Sequence, residues 1–213
     1  MRHRKVANLD VRLEQATPVT IDNPEELIGI WKNVFKNDNP IYLEIGCGKG
    51  KFIAAHAEQD PCGNYLAIEG MNEVVVSAME KAMALPEHNL YLIPRYVDDL
   101  DLWFADNELT GIYLNFSDPW PKARHEKRRL TYGPKLVTYY NAVKPGGFIE
   151  IKTDNDGLFE YTMGEIEKLG WKPAEYSDDL HASDYSARLI TTEYEDKFLG
   201  REKNIHYVKI VKE

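Results

Sequence analysis

The feature that most limits how this chain can fold is a change of rhythm at Ile41. "IYLEI" (41–45) is a short apolar run stopped by glycines, and from there strand-like and helix-like segments alternate as far as residue 170. "GKFIAAHAEQ" (50–59) reads as a helix, "YLAIE" (65–69) as a strand, "NEVVVSAMEKAMAL" (72–85) as a helix and "NLYLI" (89–93) as a strand. "DDLDLWF" (98–104) reads as a short helix, "GIYLNF" (111–116) as a strand, and "PKLVTYYNAV" (134–143) as a helix. "GFIEIKT" (147–153) is then a strand and "GLFEYTMGEIEKLG" (157–170) a helix. Such alternation builds βαβ units, hence an α/β fold with a mostly parallel, Rossmann-like sheet and helices on both faces. "KPAEYSDDL" (172–180) and "IHYVKIVK" (205–212) bring the candidate strands to seven and could pair as a hairpin or meander at one edge. Residues 1–30 lack clear periodicity and carry "RHRK" at 2–5; they are expected to form an arm plus a short helix near "NPEELIGIWKNVF". Residues 31–213 are expected to form a single domain, the default for 213 residues of which 43% are hydrophobic.

Several function classes drop out. No apolar run is long enough to span a membrane, and no apolar stretch follows the basic N-terminus to make a signal peptide. Cys47 and Cys62 form no CxxC and the histidines have no metal-ligand spacing, so no disulfide framework and no metal is expected. A cytoplasmic, reducing location fits. The net charge of −9 argues against indiscriminate nucleic-acid binding but leaves room for one basic patch.

In a sheet of this kind ligands bind outside the carboxyl ends of the strands. The first strand ends in "EIGCGKGKF", with Gly46, Gly48 and Gly50 where a backbone must turn tightly or approach a ligand. The dinucleotide pattern GxGxxG would need a glycine at position 51, which is Lys51. The GxGxG form suits S-adenosylmethionine, although a plain tight turn would look the same. The second strand ends in Glu69, placed to accept hydrogen bonds from both hydroxyls of a ribose. At the third, Tyr96 could stack on an adenine or offer its hydroxyl, and the Val97 backbone could reach the same ring. The fourth ends in "NFSDPWP": Pro119 holds Asp118 extended, and Trp120 with the prolines makes a rigid, partly apolar wall. Lys122, Arg124, Lys127, Arg128 and Arg129 follow at once, interrupted by a single acid, Glu126. Clustered Lys and Arg beside a reactive strand end read as a phosphate footprint.

"SDPWPKARHEKRRLTY", "KTDNDGLFEY", "DLH" and "TEYEDKF" together resemble the bacterial tRNA (guanine-N7-)-methyltransferases of the TrmB type. The resemblance runs from about "WKNVF" to the final strand. It implies a class I methyltransferase that uses S-adenosylmethionine to methylate N7 of a guanosine in the variable loop of tRNA. It further implies that Glu44, Glu69 and Asp118 contact the methyl donor, together with Gly46 and Gly48, and that Asp118 is catalytic. Lys122, Asp154, Thr192, Glu193, Tyr194 and Glu195 fall on substrate-contact positions. The span Arg124, His125, Glu126, Lys127, Arg128 and Arg129 falls on the RNA-interaction region. Two positions depart from the pattern. Tyr96 stands where the family usually carries Asp, and Gly70 where a larger residue is usual. Restoring Asp at position 96 is expected to leave donor binding unchanged or to tighten it.

The chemistry agrees. Guanine N7 has a free in-plane lone pair, so no proton must be removed before it attacks a methyl group. What is needed is positioning for in-line transfer and stabilisation of the positive charge that develops on the ring. Asp118 can supply both, and Asp154, at the end of the fifth strand, a second acceptor. Two other readings are an exocyclic-amine nucleic-acid methyltransferase and a non-enzymatic RNA-binding module. The former carry Asp/Asn-Pro-Pro-aromatic at this strand end, whereas the order here is Asp-Pro-Trp-Pro. The sequence leaves both monomer and homodimer open.

Overall fold

The computed structural model describes residues 6–97, 99–198 and 203–213. The basic stretch at 2–5 and Asp98 lie outside them. Seven strands form one sheet: β1 (Ile41–Ile45), β2 (Asn64–Ile68), β3 (Leu90–Ile93), β4 (Leu109–Asn115), β5 (Val143–Thr153), β6 (Glu175–Ser177) and β7 (His206–Val211). Their order is β3-β2-β1-β4-β5-β7-β6. The first five strands run parallel. β7 inserts antiparallel between β5 and β6. The two last strands therefore pair at the edge, but a long excursion rather than a hairpin turn connects them. Strand order reverses between β1 and β4, so the crevice at the switch point opens there.

The side-chain period of two sorts each strand onto two cores. Ile41, Leu43, Ile45, Leu66, Ile68, Ile112 and Leu114 face one side, where α5 (Gly133–Ala142) and α6 (Asp156–Lys168) contribute Leu136, Tyr139, Phe159 and Ile166. Tyr65, Ala67, Leu90 and Tyr113 face the other, under α3 (Lys51–Gln59) and α4 (Asn72–Ala84), which contribute Phe52, Ile53, Val75 and Met79. Burial on both faces leaves the strand ends as the place for chemistry.

Before the sheet, α1 (Leu9–Gln15) lies against α4 and is tied to it by Arg12, whose Nε and Nη2 donate to Glu80 at 2.6 and 2.8 Å. Trp31, fully buried ahead of α2 (Lys32–Phe35), stacks on Phe104 with ring centroids 5.0 Å apart. Its indole N–H donates to the Trp103 carbonyl at 2.8 Å. The segment read as a helix over 98–104 is only a 3-10 turn, Leu100–Leu102. The last helix, α7 (Glu193–Phe198), returns the chain toward the carboxyl ends of the strands.

Candidate active site

The ends of β1 to β4 open on one cavity of about 870 Å3. Gly46, Glu69, Gly70, Tyr96, Val97, Asp118, Trp120, Lys127 and Arg128 all line it. The first loop is glycine-rich for two different reasons. Gly48 has φ 59° and open space where a Cβ would stand, so its backbone is free to meet a ligand. At Gly50 a Cβ would come within 2.5 Å of the Ala78 Cβ, so that glycine serves the packing of α3 on α4. Glu69 ties two loops together: Gly48 N–H donates to its Oε2 at 3.2 Å and Met71 N–H to its Oε1 at 3.0 Å. Each oxygen keeps a further lone pair, and Glu69 lines the cavity, so a ribose diol could use them.

Glu44 lies deeper. It is 2% exposed and is not among the residues that line the cavity. Its Oε1 accepts from Asn115 Nδ2 at 2.8 Å, while Oε2 is buried without a hydrogen-bond partner. Burial, with Glu193 adding to it, pushes the carboxyl up to about 7 against the opposing pull of Asn115 and Lys152. An orphaned buried acceptor below the glycine loop is a place for a cationic donor. Together with Gly48 and Glu69 it fits a group that carries both an ammonium and a ribose.

After β4 the chain is forced into unusual backbone. Phe116 has φ 51° and Trp120 φ 40°, both left-handed without being glycine. Such residues cost on the order of 1–3 kcal/mol each and persist only when their surroundings hold them. Phe116 N–H donates to the Lys152 carbonyl at 2.8 Å. Arg129 holds the other end: its Nε donates to the Pro119 carbonyl at 3.0 Å and its Nη2 to the Trp120 carbonyl at 3.1 Å. The same guanidinium sits 4.1 Å over the Tyr161 ring of α6. Asp118, exposed at the rim, is the carboxylate that this clamped loop presents to the cavity.

The basic run is thus split in role. Residues Ala123–Arg128 form a 3-10 helix. Arg129 turns inward to the loop backbone, and Arg128 lies 4.9 Å over the Trp120 ring at the cavity. His125 meets the edge of Trp120 at 5.8 Å and accepts from Arg124 Nε at 3.2 Å. Lys122, Arg124, Glu126 and Lys127 are exposed. Among the described residues none of the five cations of the run is paired with a carboxylate, whereas Arg12, Lys51, Lys81 and Arg95 all are.

The third part of the site comes from the C-terminal excursion. Asp154, just past β5, accepts from the Tyr194 hydroxyl at 2.9 Å and from Lys203 at 2.6 Å. The Tyr194 ring lies 4.9 Å from Phe116, which joins this segment to the loop after β4. Thr192 and Glu195 form a capping box: Thr192 N–H donates to Glu195 Oε2 at 2.8 Å, and Glu195 N–H to Thr192 Oγ1 at 3.0 Å. These two therefore build the start of α7, while the other Glu195 oxygen, like Glu193 and Tyr194, is turned to neighbouring elements: it lies 3.5 Å from His181 Nε2. Glu193 accepts from Lys51 N–H at 3.1 Å and from Lys81 at 3.3 Å.

Lys152 is a residue that reading the strand ends missed. It is 1% exposed on β5, and its ammonium donates to the Ala187 and Ile190 carbonyls at 2.6 and 3.1 Å. Burial lowers its pKa, opposed by Glu195, whose Oε1 is 3.9 Å away. It fastens the excursion to the sheet. A lysine at an inward position of a strand that is otherwise buried was the available signal.

A family model described as "Putative methyltransferase" matches residues 38–208. Among solved structures, an antibiotic-related methyltransferase superposes with a TM-score of 0.63 at 16% identity, covering 91% of this chain and 96% of that one. The 16S rRNA methyltransferase KamB gives 0.60 at 13% identity, covering 100% and 97%. Phosphoethanolamine N-methyltransferase 2 of Haemonchus contortus, in complex with S-adenosyl-L-methionine, gives 0.52 at 13%, covering 89% of this chain and 52% of that one. At these identities the likeness carries the fold, which is that of the class I methyltransferases.

Two outcomes follow from the buried carboxyl and the arginine clamp. Between about pH 4.5 and 7 an unfolded Glu44 has lost its proton while the buried one keeps it, so raising the pH favours unfolding. Glu44→Gln removes that loss. In denaturant melts at about pH 5 and about pH 7.5, the variant should gain stability relative to the wild type at the higher pH. An unchanged difference would mean that Glu44 ionises normally. Arg129→Lys cannot span both carbonyls, and it should lower stability by about 1–3 kcal/mol and depress activity together. A variant with wild-type melting and turnover would show that the loop holds its shape without the clamp.

Proposed function

The chain belongs to the TrmB-type methyltransferase family, and from that premise we propose that it methylates N7 of a guanosine in the variable loop of tRNA, with S-adenosylmethionine as the methyl donor. The observation that carries this reading is a combination at one cavity. A carboxylate on a clamped loop, Asp118, shares it with Glu69 on one side and with the unpaired cations Lys127 and Arg128 on the other. Bound S-adenosylmethionine supplies an electrophilic methyl group on a positively charged sulfur. Glu69 and the backbone of Gly46 and Gly48 would hold it, with the buried carboxyl of Glu44 below the loop.

Asp118 has two tasks in this reading. It accepts from the N1–H and N2–H2 edge of the guanine, which fixes N7 in line with the methyl group, and its charge stabilises the positive ring that forms. Because N7 carries a lone pair already, no residue needs to act as a strong base. The wall of Trp120, with Arg128 stacked on it, bounds the base-side of the cavity. The exposed cations Lys122, Arg124 and Lys127 meet phosphates, which sets the register of the RNA without reading its sequence.

Asp118→Ala should reduce methyl transfer to unmodified tRNA by about 10²–10³-fold or more, with tRNA affinity little changed. The product should be N7-methylguanosine by nuclease digestion and mass spectrometry. A methylated exocyclic amine would move the enzyme to the other nucleic-acid methyltransferase class, and normal turnover would remove Asp118 from the chemistry.

The phosphate footprint is best tested away from Arg129, which is committed to the loop. Replacing Arg124 and Lys127 with Ala should weaken binding of modified and unmodified tRNA alike. It should also flatten the salt dependence by roughly one unit of log–log slope per lost phosphate contact. Retention of the wild-type slope would place the RNA surface elsewhere.

A further inference from the structure

The two positions that depart from the family pattern, Gly70 and Tyr96, are distant in sequence but touch in the structure. A Cβ built on Gly70 would lie 2.5 Å from both Cγ and Cδ1 of Tyr96 and 2.6 Å from Cδ2. Three ring atoms at nearly equal distance put a face of the ring over the glycine, and no real Cβ tolerates such contacts. Any side chain at position 70 would therefore expel the ring. The two departures are one change: the wall that a larger residue at 70 would build is built instead by a tyrosine reaching across from the end of β3.

The ring is not a loose surface side chain. Its neighbours on both sides are anchored: Arg95 pairs with Glu25 at 2.7 and 2.8 Å and stacks 5.2 Å from Trp103, and Val97 is buried. Tyr96 itself is 72% exposed and lines the cavity with Glu69 and Gly70. A planar apolar surface, held in place on one face and open on the other, beside a carboxylate suited to a ribose, is a stacking platform for a purine. We propose that Tyr96 is the platform on which the adenine of the methyl donor stacks, and that Gly70 is the residue that makes room for it.

This rests on the donor reading above, and it reverses what the sequence suggested for position 96. Replacing the tyrosine with Asp while Gly70 remains would leave the adenine without a wall, so binding should weaken rather than hold or tighten.

Calorimetric titration of the whole chain with S-adenosylhomocysteine, in the absence of RNA, tests it. Tyr96→Phe should bind within about twofold of the wild type, while Tyr96→Ala and Tyr96→Asp should each lose roughly tenfold, the scale of one base–aromatic contact. Gly70→Ala should weaken binding in the wild-type background, where it displaces the ring, and change little in the Tyr96→Ala background, where no ring is left to displace. Equal effects of Gly70→Ala in the two backgrounds would overturn the pairing. If Tyr96→Ala kept wild-type affinity for the nucleoside while losing affinity for tRNA, the ring would serve the substrate base and the proposal would be wrong. Absence of binding by the wild-type chain would overturn the donor reading and the platform with it. Binding that ignores every change at Tyr96 would overturn the platform alone.

Discussion

The Arg129 guanidinium holds two backbone carbonyls of a loop that would not keep its shape unaided. A parallel sheet buried on both faces can place reactive groups only where its strands stop. At β4 the chain stops by bending into left-handed backbone at Phe116 and Trp120, a conformation that side chains other than glycine resist. Together the two carry strain on the order of a few kcal/mol. One planar cation that bridges the Pro119 and Trp120 carbonyls and rests on Tyr161 is well matched to that load. The direction of Asp118 depends on it, and so does the position of Arg128 on Trp120.

A second constraint runs beneath the cavity. Glu44, Asn115, Lys152 and Glu195 are all buried at the carboxyl end of the sheet, where an unpaired charge is costly. Asn115 satisfies one oxygen of Glu44, and the Lys152 ammonium is satisfied by two carbonyls of the 186–190 segment. Those bonds make the position of the C-terminal excursion a condition of Lys152 being buried at all. The excursion in turn carries Tyr194 to Asp154 and Phe116. The buried polar layer therefore couples the β5 end, α7 and the β4 loop, so that a change at Lys152 would be felt at residues it does not touch.

Much of this was legible in the sequence, and the parts that were not share a cause. Alternation of apolar runs gave the sheet and its helices, because period 2 and period 3.6 are local properties. The strand ends marked Glu69 and Asp118 as cavity residues, since the fold class dictates where ligands sit. Direction across the fold was harder. The basic run looked uniform, yet Arg129 faces the backbone and Arg124 faces solvent, a difference set by Pro119 and Trp120 ten residues back. Thr192 and Glu195 sit on substrate-contact positions by resemblance, but their spacing is also that of a capping box, and the structure uses them so. Glu44 could have been placed by period 2, because it shares a face with Tyr42 and points away from the side of Ile45. The Gly70–Tyr96 contact had no local signal at all, because it joins the ends of two neighbouring strands.

The charge distribution now has a structural reading. Acidic residues outnumber basic ones, 35 to 26, and elsewhere in the chain cations such as Arg12, Lys51 and Arg95 are paired with carboxylates of the protein itself. Lys127 and Arg128 are not, although Asp118 lines the same cavity. Among the described residues Lys36, Lys49, Lys135, Lys144 and Lys172 have no carboxylate partner either, so what sets the run apart is the clustering of its cations between Lys122 and Arg129. Left unpaired on the rim of a cavity in an otherwise acidic surface, these cations set up a field that points inward. A polyanion would be repelled over most of the protein and attracted at one edge, and it would arrive with its phosphates on the basic turn. In the proposed reading, the order along the chain, carboxylate first and cations directly after it, would set the distance between a phosphate on the basic turn and a base at Asp118.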